Sequence, residues 1–172
     1  MKGLKILVPL DGSSLAEATL PKAVEFVKQN NGGRLVLVRA VDPATLPGDV
    51  ATGAQVVAIN EAAEYLWGMT ERLGDEGVGL VVRSVFCAAA GPAIVEAARA
   101  AKLDLIVMAT HHRSGAGRLI PGPVAEFVLD RMCMPIVLVA ADDTPVMVPP
   151  AGRGRAARIE RDEKGNARAR VA

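Results

Sequence analysis

The sequence predicts an α/β domain with helices on both faces of a doubly wound, five-stranded parallel sheet. First, strand and helix patterns alternate along the chain, which favours parallel strands joined by right-handed crossovers. Second, the strand patterns are short, continuous apolar runs, as expected for strands that are buried on both faces. Third, apolar residues make up 51% of the chain and charged residues 23%, which is enough for a core and argues against disorder.

Five apolar runs carry the strand prediction. The predicted strands are residues 5–9, 35–41, 80–86, 105–108 and 135–139. Between them, apolar residues recur at helical spacing within residues 14–29, 59–73, 92–101 and 124–131. The first helix opens with SLAE, which fits a capping box with Ser14 as the N-cap and Glu17 reaching back to it.

The first and fourth strands are each followed by a loop that contains glycine. In an open parallel sheet, the ligand crevice lies beyond the carboxyl ends of the strands, where the strand order reverses. A strand order of 3-2-1-4-5, which periodicity does not determine, would place residues 9–13 opposite residues 109–122. The second loop leads into a helix start, where unpaired backbone N–H groups favour an anion.

Four segments resemble the universal stress protein family. They are VPLDGS at 8–13, VMATH at 107–111, GPVAEFVL at 122–129 and MPIVLV at 134–139. The resemblance covers roughly residues 2 to 141, with the segments in the family's order and spacing. It implies a Rossmann-like domain of the adenine nucleotide alpha hydrolase type, a stress-related role, and a homodimer.

The resemblance also implies a site for ATP or AMP. In nucleotide-binding members, the aspartate after the first strand, here Asp11, lies near adenine and ribose, and the end of the second strand contacts the base. A glycine-rich loop holds the phosphates. Carried over to this sequence, the implied nucleotide-binding residues are Pro9, Asp11, Ala40, Val41, Met108, Ala109, His111, His112, Arg113, Gly122, Pro123 and Val124.

The phosphate loop departs from the family pattern. The family motif is G-x2-G-x9-G-[S/T], and its four fixed positions fall on Ala109, His112, Gly122 and Pro123, so only Gly122 is retained. The β-carbon of His112 disfavours positive φ, and Pro123 lacks both a backbone N–H and a hydroxyl. Arg113 still offers a positive charge to a phosphate. The alternative interpretation is a solvated glycine loop in which the arginines only face the solvent. Nucleotide binding is therefore expected to be weak or lost.

No catalytic or metal site emerges from the other motifs. Asp11 precedes a glycine, but Pro9 stands where a paired aspartate would be needed, so a ligand contact or a loop-capping role is favoured. His111 and His112 are adjacent and have no third ligand nearby in sequence. We therefore expect a binding or signalling module. The alternative is an ATP-binding universal stress protein with weak nucleotide hydrolase activity.

The C-terminal segment lies outside the family resemblance. We expect an α/β domain over residues 1–142 and a basic extension over residues 143–172. From residue 152 onwards there are seven Lys or Arg against three Asp or Glu, a net charge of +4. The extension is either disordered or a small hairpin of residues 158–161 and 167–171, which would need to pack on the domain or on a partner.

The bulk properties narrow the partners and the compartment. The net charge is +1, so no global field favours nucleic acid or membranes. The N-terminal apolar run is too short for a signal peptide and no run could span a membrane, which favours the cytoplasm. The last predicted strand, from Pro135 to Val139, is apolar and lies at the expected sheet edge. Since no lysine or bulge protects it, we expect two copies to pair there in a homodimer.

Overall fold

The computed structural model describes residues 3–30, 32–46, 53–74, 80–110, 121–140, 145–150, 157–161 and 167–171. Its strands are β1 (Leu4–Pro9), β2 (Gly33–Ala40), β3 (Leu80–Phe86), β4 (Leu105–Ala109), β5 (Ile136–Val139), β6 (Pro145–Val148), β7 (Ala157–Arg161) and β8 (Ala167–Val171). Its helices are α1 (Ser14–Glu17), α2 (Thr19–Gln29), α3 (Gly53–Gly74), α4 (Ala90–Ala101) and α5 (Pro123–Arg131), and a short 3-10 turn spans Pro43–Thr45.

The five strands expected from the sequence form the parallel part of the sheet. Their order is β3-β2-β1-β4-β5, which confirms the doubly wound arrangement. The expected strand count was wrong, because the sheet has eight strands over the described residues. It continues from β5 through β6 and β8 to β7.

Helices cover both faces of the parallel strands and enclose two apolar cores. One core joins α2 and α3 to one face of the sheet and includes Ile6, Leu37 and Leu66. The other joins α4 and α5 to the opposite face and includes Leu7 and Ile106. The consecutive residues Ile6, Leu7 and Val8 of β1 thus point into different cores in turn, which explains why this stretch is apolar without alternation.

The edge of β5 is not free, which corrects the expected dimer contact at Pro135 to Val139. β6 pairs with β5 antiparallel, from Val139 opposite Pro145 to Ile136 opposite Val148. Within β6, Val146 and Val148 are buried, whereas Met147 is exposed. This alternation lets β6 close the edge of the sheet and bury two valines, so the edge strand that the sequence left open is covered by the chain itself.

The basic extension continues the sheet. β7 and β8 pair antiparallel, from Ala157 opposite Val171 to Arg161 opposite Ala167. β8 then joins β6 through the pairing of Met147 with Arg168. β7 and β8 thus lie next to each other as two antiparallel strands beside β6. None of the described helices is both long and apolar enough to cross a bilayer.

Candidate functional site

The strand order reverses between β1 and β4. These two strands pair in parallel. From β1 the chain continues to β2 and β3 on one side of the sheet, whereas from β4 it continues to β5 on the other side. Their carboxyl ends, at Pro9 and Ala109, therefore meet at the topological switch point. This is the position at which doubly wound folds form ligand crevices.

The turn after β1 is built by short polar side chains. The Asp11 carboxylate accepts the backbone N–H of Ser13 at 2.9 Å, and Gly12 takes a φ of 89°. The Ser13 hydroxyl then accepts the N–H of Ala16 at 3.1 Å and caps α1. The N-cap is thus Ser13 and not Ser14 as expected, because Asp11 fixes the chain one residue earlier. Asp11 performs the loop-capping role that its sequence context allowed.

Four side chains beside this turn form what we call the Arg39 cluster: Arg39, Tyr65, Glu17 and Arg72. The Arg39 guanidinium lies 4.5 Å from the centre of the Tyr65 ring. The Tyr65 hydroxyl donates to one Glu17 carboxylate oxygen at 3.1 Å, and Arg72 donates to the other at 3.0 Å. Glu17 therefore joins α1 to α3, which is why it does not reach back to cap its own helix.

Tyr65 is held as a neutral phenol. Burial, together with the hydrogen bond to Glu17 and the negative charge of that carboxylate, raises the pKa of Tyr65 to about 12. The positive charge of Arg39 lowers the pKa of Tyr65, but this effect is smaller than those that raise it. Tyr65 therefore stays a hydrogen-bond donor to Glu17 at neutral pH, and its ring remains a fixed platform for the guanidinium.

On the other side of the crevice, α5 begins with few free donors. The Thr110 hydroxyl, on a residue that is 2% exposed, accepts the backbone N–H of Gly122 at 3.3 Å. Pro123 follows as the first helical residue and has no N–H, and no side chain caps the helix. Only the N–H groups of Val124 and Ala125 are left of the first-turn donors, because the N–H of Glu126 bonds to the Gly122 carbonyl.

Ten of the twelve residues implied by the family resemblance lie at strand ends, near the start of α5 or outside the described residues. Pro9, Asp11, Ala109, Gly122 and Pro123 lie at the ends of β1 and β4 or at the start of α5, around the switch point. Val124 is the second residue of α5, and Ala40 ends β2. His111, His112 and Arg113 lie outside the described residues.

The remaining two implied residues, Met108 and Val41, have buried side chains. The Met108 side chain is buried in the core beneath α4 and α5. Val41 is buried as well, and its N–H donates to the Phe86 carbonyl at 2.8 Å, next to the end of β3. Both side chains therefore belong to the buried interior of the domain.

Two grooves lie away from the switch point. One, of about 680 Å³, runs between α2 and α3 and is bordered by Glu17 and Arg72 of the Arg39 cluster. The other, of about 470 Å³, runs between α4 and α5 beside Phe127 and Arg131. Ligand grooves in doubly wound folds form at the strand ends, and we place the candidate site there on the basis of topology.

The sequence interpretation missed Thr110, Arg39 and Tyr65. Arg39 carried a readable signal, because it is the one charged residue in the predicted second strand and such strands bury both faces. Thr110 lies within the VMATH segment, but the resemblance assigned no function to it. Tyr65 gave no local signal, since its partners Glu17 and Arg39 are distant along the chain.

Comparison with known proteins gives a consistent result. The Universal stress protein family matches residues 4–140 of this chain. A universal stress protein of Mycobacterium tuberculosis is 31% identical over 137 residues, which are 77% of this chain and 44% of that protein. The chain thus spans less than half the length of that relative.

Two solved structures share the fold and contain a nucleotide. A universal stress protein in complex with cAMP superposes with a TM-score of 0.59 at 22% identity, over 80% of this chain and 97% of the other. A universal stress protein family protein of Arabidopsis thaliana with AMP bound superposes with a TM-score of 0.56 at 16% identity, over 83% and 95%. At these identities the likeness concerns the fold.

Proposed function

The chain belongs to the universal stress protein family, and from this we propose that it is a cytoplasmic binding or signalling module of the stress response whose crevice takes an adenine nucleotide weakly. Two relatives of the same fold contain AMP or cAMP, which supports a ligand with one phosphate. The switch point between β1 and β4 is the proposed site.

One observation carries the proposal of weak binding to a polyphosphate: the α5 start has lost two of its donors. The N–H of Gly122 is taken by Thr110, and Pro123 has none. A hydrogen bond to a charged group contributes roughly 1.5–3 kcal/mol. Two such losses weaken triphosphate binding on the order of a hundredfold or more, whereas a nucleoside monophosphate depends less on this end of the crevice.

The proposal is tested by two measurements on the full chain. Protein purified from cells is denatured and any released nucleotide is identified by mass spectrometry. Calorimetric titrations with AMP and with ATP then give both affinities. We expect AMP to bind at least as tightly as ATP. Low-micromolar ATP binding with much weaker AMP binding would contradict the donor argument.

An enzymatic role, as a weak nucleotide hydrolase, is the less favoured alternative. Asp11 is the acidic residue at the crevice, and its carboxylate already accepts the Ser13 N–H. The parent and Asp11→Ala should therefore hydrolyse labelled ATP to ADP and inorganic phosphate at the same background rate. A parent rate that lies above background and falls to it in Asp11→Ala would instead support the hydrolase.

Homodimerisation, which the family resemblance implies, is also a proposal here. β6 occupies the hydrogen-bonding edge of β5, so a dimer of the full chain uses another surface as long as β6 remains in place. Sedimentation across micromolar concentrations tests whether the full chain forms a dimer.

A further inference from the structure

β3 is one end of the sheet. Among the described residues, no strand pairs with the side of β3 that faces away from β2, which we call the outer edge of β3. The other end is β7, ARIER, in which three of five residues are charged, whereas β3, LVVRSVF, has one charged residue in seven. Charged side chains commonly protect edge strands from pairing, so β3 is the less protected of the two ends.

The backbone of β3 shows which groups lie at the outer edge. The Phe86 carbonyl accepts the N–H of Val41 at 2.8 Å, so Phe86 directs its backbone groups towards β2. Because successive residues of a strand direct these groups to opposite sides, Val81, Arg83 and Val85 direct theirs to the outer edge. Their N–H and C=O groups form a row of donors and acceptors that suits a further strand.

Apolar side chains lie exposed beside the outer edge. Val82 is 36% exposed in β3 itself, and Trp67 of α3 is 54% exposed. The central guanidinium carbon of Arg83 lies 4.2 Å from the centre of the Trp67 ring, so the tryptophan lies next to β3 and the one charged side chain of this strand packs on it. Tryptophan is among the residues most enriched in protein interfaces.

The sequence of β3 fits a second copy of itself. In an antiparallel pair related by a two-fold axis, the residue at the axis lies opposite its own copy. An axis at Arg83 would place two arginines opposite each other, which is unfavourable. An axis at Ser84 instead places Arg83 opposite Val85 and Val82 opposite Phe86, and a β-branched residue opposite an aromatic one is a favourable cross-strand pair. An axis at Val82 would leave Phe86 outside the pairing.

We propose that a second copy of this chain docks on the outer edge of β3, antiparallel and centred on Ser84, to form a homodimer. The inference rests on the homodimer proposed above and names its surface. Arg83 of each copy exchanges both backbone hydrogen bonds with Val85 of the other, which joins the two sheets into one. Trp67 of each copy lies beside this junction and gains partners there.

The experiment measures the dimer dissociation constant by sedimentation for the full chain and its variants. Ser84 directs its backbone groups towards β2, so it would lie opposite its copy in a non-hydrogen-bonded pair with Cα atoms about 4.5 Å apart. Ser84→Lys and Ser84→Asp therefore each place like charges opposite each other. Met147→Lys is the matched control, since it adds a charge at an exposed strand residue of β6, which lies beyond β5.

We expect the parent to dimerise and each Ser84 variant to do so about tenfold or more weakly, because like charges repel at this distance. An equimolar mixture of Ser84→Lys and Ser84→Asp should recover dimerisation, since it places opposite charges across the axis. Met147→Lys should behave as the parent. Trp67 is the one tryptophan of the chain, so its emission should shift to longer wavelength as the parent is diluted and dissociates.

Three results would overturn the inference in different ways. If the parent dimerises and both Ser84 variants do so as tightly, the dimer uses another surface and the proposed homodimer stands. If the parent stays monomeric across micromolar concentrations, the homodimer and this surface fail together, whereas the nucleotide function is unaffected. If both variants are weakened and their mixture does not recover, Ser84 does not lie opposite its copy.

Folding of the variants has its own control. Thermal unfolding checks that each variant is folded. If the Ser84 variants are not, the emission of Trp67 in the parent provides the test, because it needs no substitution. An emission that stays constant while sedimentation shows the dimer dissociating would place the interface away from β3 and overturn the inference.

Discussion

The Thr110 hydroxyl oxygen accepts the backbone N–H of Gly122 at 3.3 Å and thereby ties the end of β4 to the start of α5. Thr110 is also fixed at its own backbone, since its N–H donates to the Val139 carbonyl at 2.9 Å. Thr110 and Gly122 are thus held next to each other beside the end of β5. The same contact removes Gly122 from the donors that a phosphate could use.

Thr110→Val should destabilise the protein by about 0.5–1.5 kcal/mol, because it deletes one hydrogen bond from a buried position while keeping the side-chain volume. Thr110→Ser is the matched control, since it keeps the hydroxyl and loses a methyl group. Urea unfolding gives both free energies. A Thr110→Val variant that is as stable as the parent would show that the contact with Gly122 contributes nothing.

Pro123 should limit the affinity for ATP. Pro123→Ala restores the backbone N–H at the helix start, and Pro123→Ser adds a hydroxyl to it. We expect ATP affinity to rise in the order Pro123, Ala, Ser, with each restored donor contributing roughly tenfold or more. AMP affinity should change less. Calorimetry of the three proteins provides the measurement, and equal ATP affinities would refute this role for Pro123.

The titration of Tyr65 can be followed by itself, because the chain has one tyrosine. Tyrosinate absorbance of the folded protein should give a pKa of about 12. Glu17→Gln should lower this pKa, since it removes a carboxylate acceptor and its charge, but should leave it above 10.0 because burial is the largest cause. Glu25→Gln, on the neighbouring helix α2, is the control.

The sign of the linked stability change follows from the same shift. The folded pKa of Tyr65 is raised above its unfolded value of 10.0, so folding favours the protonated phenol. This contribution to stability is complete below about pH 10 and is lost as the pH rises from there towards about 12. Urea unfolding across this range should show a shallower decline in Glu17→Gln than in the parent.

Deleting residues 141–172 should make the protein self-associate, because it removes β6 and exposes the edge of β5. A shorter deletion, of residues 151–172, removes β7 and β8 but keeps Pro145–Val148, and is the matched control. Sedimentation should show association of the first variant at concentrations where the second behaves as the full chain does. Equal behaviour of the two variants would show that β6 does not control this edge.

Gly91 and Gly68 should respond oppositely to replacement by alanine. A β-carbon on Gly91 would lie 2.7 Å from a ring carbon of Phe127, so Gly91→Ala forces α4 away from α5 and should cost about 1–3 kcal/mol. Gly68 lies inside α3, and a β-carbon there meets no atom within 4 Å. Gly68→Ala should therefore stabilise the protein by roughly 0.5–1 kcal/mol, as measured by urea unfolding.

The alternation of strands and helices, and the parallel direction of the first five strands, can be predicted from the sequence. This is possible because β4 and the middle of β1, at Ile6, Leu7 and Val8, bury both of their faces, and such stretches are apolar without interruption. The sequence also indicates that the start of α5 has few N–H donors, because proline has no backbone N–H in any structure.

The partners of residues that are distant in sequence become visible only in the folded chain. Glu17 has the local pattern of a capping box, yet it bonds to Tyr65 and Arg72, 48 and 55 residues away. The edge of β5 is open in the local pattern, yet β6 covers it. Local patterns record which faces are buried and which backbone groups are missing. Which side chain or strand satisfies a given group depends on how the chain packs, and the sequence pattern around that group does not contain this information.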